Sequence, residues 1–190
     1  MENKRTRFYL IRHGETDWNK AGRYQGCTNI QLNAEGLEQA RLLGERFKYL
    51  PLDVVYVSPL DRAVATAEPV AASHGLTPIK DDHFREINFG EWEGHTIEEL
   101  SEKYGRAYTD FFKDPFDHPV PGEGSFQNAM DRAIEGFNIL AERHKGQNVA
   151  IISHGGLLRV MLVGLLEMGD AFYRKTWMTN LQRANPIMSG

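Results

Sequence analysis

The stretch FYLIRHGETDWN, residues 8–19, runs as four apolar side chains from Phe8 to Ile11 and then breaks onto Arg12, His13 and Gly14. DVVYV from Asp53 and NVAII from Asn148 are runs of the same kind. Short apolar runs rich in β-branched and aromatic residues suit strands buried on both faces. Each is followed by a helical pattern. After the first, Leu37, Ala40, Gly44 and Phe47 recur at helical spacing behind Asn33, a capping residue type. After the second, Ser58-Pro59 reads as cap and first helical position of LDRAVATAEPVAASHG, with Pro69 as a kink point and Gly75 as the stop.

PIKD from Pro78 reads as a further short strand. Thr96 and Glu99 form a capping-box pattern closed by Gly105. Behind Ser125, Phe126, Met130, Ala133, Phe137 and Leu140 share one helical face. Strands alternating with helices imply an α/β domain with a mostly parallel sheet. Between residues 83 and 124 the pattern is less regular and rich in aromatics, which suits a lid or pocket wall and equally a small satellite core.

A length of 190 residues suits one domain, or one domain with an insertion. A net charge of -4 argues against broad nucleic-acid binding, which needs a basic face. The single cysteine, Cys27, excludes an internal disulfide and a cysteine-rich metal site and fits a reducing compartment. The apolar run after MENKRTR is too short for the core of a signal peptide, and GGLLRVMLVGLLEMG from Gly155 is interrupted by Arg159 and falls short of a membrane span. The expectation is a cytoplasmic protein without membrane attachment.

In open α/β sheets ligands bind beyond the carboxyl ends of the strands. Arg12 and His13 follow the first strand, Arg62 lies at the start of the helix after the second, and His154 follows the third in IISHGG. One topological rule therefore brings two arginines and two histidines to one edge. An isolated arginine is usually a solvated charge and a lone histidine usually structural, and His74, His83, His95, His118 and His144 read that way. His13 and His154 differ, because each stands directly beyond an apolar strand and beside glycine. Two guanidiniums, a helix N-terminus and the glycines Gly14, Gly155 and Gly156 suit a phosphoryl group. No nucleotide-binding loop, serine elbow, zinc helix or metal-ligand cluster is present, so no metal or cofactor is expected.

LIRHGETDWN, SPLDRAVATA around Arg62, REINFGEWEG from Arg85 and SHGG at Ser153 stand in the order of four motifs of the histidine phosphatase superfamily, also called phosphoglycerate mutase-like, which the chain resembles from residue 8 to about 160. The resemblance implies a three-layer α/β/α sandwich over residues 1–190, with about 83–124 as an insertion over the site. It implies a phosphohistidine mechanism with His13 as nucleophile. Arg12, Arg62 and His154 would hold the phosphoryl oxygens, Glu86 would protonate the leaving oxygen and help activate water, and Asn19 and Gly155 would add phosphate contacts. A histidine nucleophile needs one nitrogen held protonated by a partner, which the sequence does not show.

Within the family REINFGEWEG looks like the phosphatase branch, similar to broad-specificity and α-ribazole-phosphate phosphatases, and lacks the pattern of cofactor-dependent mutases. The expected substrate is a small phosphorylated metabolite. Trp18 and Trp92 suit a pocket for an apolar or ring-bearing alcohol, and no further cationic cluster demanding a second phosphate is apparent. A phosphoglycerate mutase and a non-catalytic phospholigand-binding domain are the alternatives. The chain ends on NPIMSG soon after MTNLQ, where such proteins usually continue into an edge strand, a departure that bears on the sheet edge and on any homodimer contact.

Overall fold

The computed structural model describes residues 5–169, 171–175 and 178. In chain order it contains β1 (Arg7–Arg12), α1 (Asp17–Lys20), α2 (Ala34–Phe47), β2 (Val54–Val57), α3 (Asp61–Ala72) and β3 (Ile79–Lys80). Two 3₁₀ turns, Asp82–Phe84 and Gly90–Trp92, then lead to α4 (Ile97–Tyr104), α5 (Arg106–Lys113), α6 (Phe126–Arg143), β4 (Asn148–Ser153), α7 (Gly155–Leu165) and α8 (Ala171–Lys175). The strands form one all-parallel sheet in the order β1-β4-β2-β3.

Side-chain alternation sets the layers, since successive residues of a strand face opposite sides. Ile11, Val55, Val57, Ala150 and Ile152 point to one side, where they meet Phe47 of α2 and Ala63, Ala67 and Val70 of α3. Tyr56, Val149 and Ile151 point to the other, against Ala133 and Leu140 of α6 and Leu157 and Met161 of α7. The expected three-layer α/β/α arrangement is present. The aromatics of 83–124 do not form a separate satellite, because Phe84, Phe89, Trp92, Tyr108 and Phe111 belong to the same buried cluster as Val149 and Ile151.

Several local readings shift. Leu37, placed by spacing on the buried stripe of α2, is 55% exposed, and Gly36 takes the inward position instead. Ser58 does not cap α3, whose N-cap is Leu60, because its hydroxyl is engaged across the sheet edge with His154. Met130 and Phe137 are partly buried, and Ala129 and Gly136 complete the inner face of α6. Asn33, Thr96 and Ser125 cap as expected, and Gly105 ends α4 with a φ of 53°. No described helix is long and apolar enough to cross a membrane. The expected departure at NPIMSG lies outside the described residues.

One close approach seats the loop after β1 on α2. A Cβ on Gly36 would stand 2.1 Å from the Glu15 carbonyl oxygen, and a Cβ on Gly14 would stand 2.6 Å from that of Gly36. Backbone therefore packs on backbone, with the Asn33 side chain accepting from Gly36 N at 2.9 Å. Gly36→Ala should destabilise the protein by about 1–3 kcal/mol, although alanine is favoured in helices by about 1 kcal/mol, because the loop must move to admit the methyl group. Urea unfolding checks this, and an unchanged midpoint would show that the approach is looser than described.

Candidate active site

Arg12, His13, Arg62, Glu86, Gly155 and Asn19 all line one cavity of about 730 Å³ at the carboxyl end of the sheet. Gly14 organises its floor. Its N–H donates to Thr66 Oγ1 at 3.0 Å, and its carbonyl receives His13 Nδ1 at 2.6 Å. A carbonyl only accepts, so Nδ1 carries the proton and the lone pair of the neutral ring lies on Nε2. The partner that a nucleophile at His13 would need is thus a backbone oxygen of the next residue, which no side-chain motif could reveal.

His154 is fully buried, its ring centroid 5.1 Å from that of His13. Its Nε2 is 2.7 Å from Ser58 Oγ, which also accepts from Leu60 N at 3.4 Å. The Ser58 hydroxyl can give its hydrogen to Nε2, and in that arrangement Nδ1 is the N–H of the ring. Among the described residues this buried Nδ1 has no hydrogen-bond partner, and neither has Nε of Arg12 or Arg62. Buried donors are ordinarily satisfied, so such a group of polar atoms marks a place built for an acceptor.

Arg62 is fully buried on α3 and is held by carbonyls, Nη2 to Gly26 at 2.6 Å and Nη1 to Thr28 at 2.8 Å. Those carbonyls are fixed by Glu93, whose carboxylate accepts from Cys27 N and Thr28 N, each at 2.8 Å, and from Phe89 N at 3.1 Å. Arg12 Nη1 donates to the Met178 carbonyl, and a Cβ on Gly155 would sit 3.1 Å from Arg12 Nε, so a larger residue there would require the guanidinium to shift. Asn19 Oδ1 accepts from Thr16 N at 3.2 Å, which makes Asn19 part of the α1 capping box as well as of the cavity wall.

Glu86 is buried, and its carboxylate accepts from Ile87 N at 3.0 Å, Leu157 N at 2.8 Å and Gly156 N at 3.2 Å. The α7 N-terminus thus gives its Gly156 and Leu157 N–H groups to Glu86, and the third comes from Ile87, the next residue along the chain. The segment leading to Glu86 is held from outside. Arg132 Nη1 donates to the carbonyls of His83 at 3.0 Å and Arg85 at 2.8 Å, and Ser153 Oγ donates to that of Phe84 at 2.7 Å.

Two expectations need correcting. Neither tryptophan lines the cavity: Trp92 is buried against Phe111 and Tyr108, and Trp18 lies beside Gly94. Phe89, Phe111, Phe112 and Pro115 supply the apolar wall instead. The cavity is also more cationic than expected, with Arg23, Arg159 and Arg174 around the same space. Arg159 follows Gly155 by four residues, one helical turn, and that spacing was the available signal. No group of three or more potential metal ligands occurs among the described residues.

The residues that match the histidine phosphatase superfamily (branch 1) run from 8 to 184. Phosphoserine phosphatase 1 of Hydrogenobacter thermophilus is 37% identical over 158 residues, 83% of this chain and 74% of that protein. A metal-independent phosphoserine phosphatase of Arabidopsis thaliana is 36% identical over 174 residues, 90% of this chain and 73% of that one. Among solved structures, phosphoserine phosphatase from Entamoeba histolytica in complex with 3-phosphoglyceric acid superposes with a TM-score of 0.84 at 33% identity, over 93% of this chain and 87% of that chain.

Burial and the charges of Arg62 and Arg12 hold His13 well below the usual imidazole range, and burial with Arg62 and His13 does the same to His154. Both rings are neutral in the folded protein, whereas in the unfolded chain they titrate near 6.5. Below that pH the unfolded state binds more protons, so stability is lost as pH falls, approaching about 2.7 kcal/mol per pH unit for two such groups. The urea midpoint should fall between pH 6.5 and 5.5, and about half of the histidine contribution should vanish in His154→Gln. A midpoint flat across that range would mean that the rings are protonated in the fold.

Proposed function

The chain belongs to the histidine phosphatase superfamily, and on that premise we propose that it hydrolyses small phosphomonoesters through a phosphohistidine at His13 Nε2, with Arg12, Arg62, His154 and Glu86 in the roles their positions suit. The hydrogen bond from His13 Nδ1 to the Gly14 carbonyl carries the reading, because it directs the lone pair of a neutral, buried ring to Nε2.

Nε2 attacks phosphorus while the bond to the ester oxygen breaks, and Glu86 gives that oxygen its proton. Two guanidiniums and the His154 Nδ1–H bind the oxygens on which negative charge gathers, in a setting already arranged for it. Water then attacks phosphorus opposite the P–N bond and returns a proton to Glu86, releasing inorganic phosphate and the neutral ring. Residues 83–124 act as the insertion that walls the alcohol side of the site within a single domain. Relatives named phosphoserine phosphatase put phosphoserine first among substrates to try.

Phosphate release from a panel of monoesters in excess chelator tests the reading, with phosphoglycerate isomers followed for interconversion. Release should persist without metal and fall at least about 10³-fold in His13→Ala, and quenched enzyme should carry an acid-labile, alkali-stable phosphoryl group. Full activity in His13→Ala would sink the proposal, and interconversion with little release would replace it with a mutase. Glu86→Gln should slow alkyl esters about 10²–10⁴-fold and p-nitrophenyl phosphate far less, since a good leaving group needs no proton.

A further inference from the structure

Five arginines, Arg12, Arg23, Arg62, Arg159 and Arg174, line the cavity, against the carboxylates of Glu15 and Glu86. A monoester phosphate is met by Arg12 and Arg62, so the remaining positive charge has no role in the chemistry just derived. Arg23 is partly neutralised by Glu99 at 2.9 Å. Arg174 stands exposed on α8. Arg159 is different in kind. It is half-buried and lies one turn beyond Gly155, and side chains on a helix lean toward its N-terminus, here toward the phosphate floor.

The Arg159 guanidinium stands over the Tyr173 ring, its Cζ 3.7 Å from the centroid, and Nη2 donates to the Tyr173 carbonyl. The ring contact and the hydrogen bond restrain the fork, and a restrained planar fork is the geometry that recognises a carboxylate. Burial lowers the pKa of Arg12 and the charge of Arg159 lowers it further, so the two cations stand near one another at the floor. Phe112 and Pro115 border the same space and leave little to hydrate the ligand's middle.

We infer that Arg159, held by Tyr173, forms a second anion subsite in the cavity and selects phosphomonoesters that carry a carboxylate on the alcohol side. The inference rests on the phosphatase reading for which group sits at His13, and it adds where the rest of the substrate goes. Arg159 is a specificity residue here, while the bond-breaking steps stay with His13 and Glu86.

Phosphoserine and phosphoethanolamine differ by the carboxylate alone and form a matched pair. Their binding to His13→Ala is measured by calorimetry with and without Arg159→Gln, so that affinity is read apart from turnover. Phosphoserine should bind the single variant more tightly than phosphoethanolamine. Arg159→Gln should weaken phosphoserine about 10- to 100-fold and phosphoethanolamine less than about threefold. Arg159→Lys, which keeps the charge and loses the fork, should fall between and also serves if the glutamine variant does not fold. Equal losses for both ligands, no loss for either, or no binding of phosphoserine would overturn the inference. Selective loss together with a His13-intact protein that releases phosphate from neither ester would uphold the subsite and overturn the hydrolase reading instead.

Discussion

A fully buried guanidinium held by backbone carbonyls is the constraint around which this molecule is arranged. Arg62 spends its two Nη groups on the carbonyls of Gly26 and Thr28, and removing such a charge from water is costly unless something answers it. Carbonyls orient the cation without cancelling its charge, so the field stays available to a ligand. The loop carrying those carbonyls is clamped by Glu93, and Glu93 stands in the same segment, Phe89 to Gly94, that reaches the apolar wall at Phe89. The floor proposed for phosphate and the wall proposed for the alcohol therefore share one carboxylate as their joint.

Burial and the same uncancelled charge explain the histidines. Out of water and beside two cations an imidazolium is unfavourable, so His13 and His154 stay neutral, which is the state the proposed nucleophile and neutral donor require. Glu86 is kept at the edge of this field by the N–H groups of α7 rather than by an arginine. The groups proposed as acid, base and phosphate holders thus sit side by side without collapsing into ion pairs with one another.

Much of this was legible in the sequence where a period or a strand end carried the signal. Apolar runs at Phe8, Asp53 and Asn148 located the strands of the sheet centre, and the rule of strand ends brought Arg12, His13, Arg62 and His154 together. What stayed hidden was set by backbone. The Gly14 carbonyl, the Gly26 and Thr28 carbonyls and the close approach at Gly36 have no side-chain signature, because any residue offers a carbonyl and only the fold aims it. Ser58 was misplaced for a related reason: a serine before proline at a strand end fits a helix cap, and only the neighbouring strand shows that its hydroxyl is used across the edge. Leu37 followed apolar spacing but lost the inward position to a glycine that packs more closely.

The sheet order also bears on how the chain is made. β1 pairs with β4, its described neighbour in the sheet, from Arg7 opposite Asn148 onward, about 140 residues later in the chain. At roughly 5–20 residues per second the ribosome leaves that apolar strand waiting for on the order of ten seconds before its partner emerges. The floor of the cavity therefore assembles only after β4 has emerged, and β1, made long before its partner, is placed late. A nascent chain of this kind has an interval in which Phe8 to Ile11 is offered to chaperones, or to the same segment on a neighbouring ribosome.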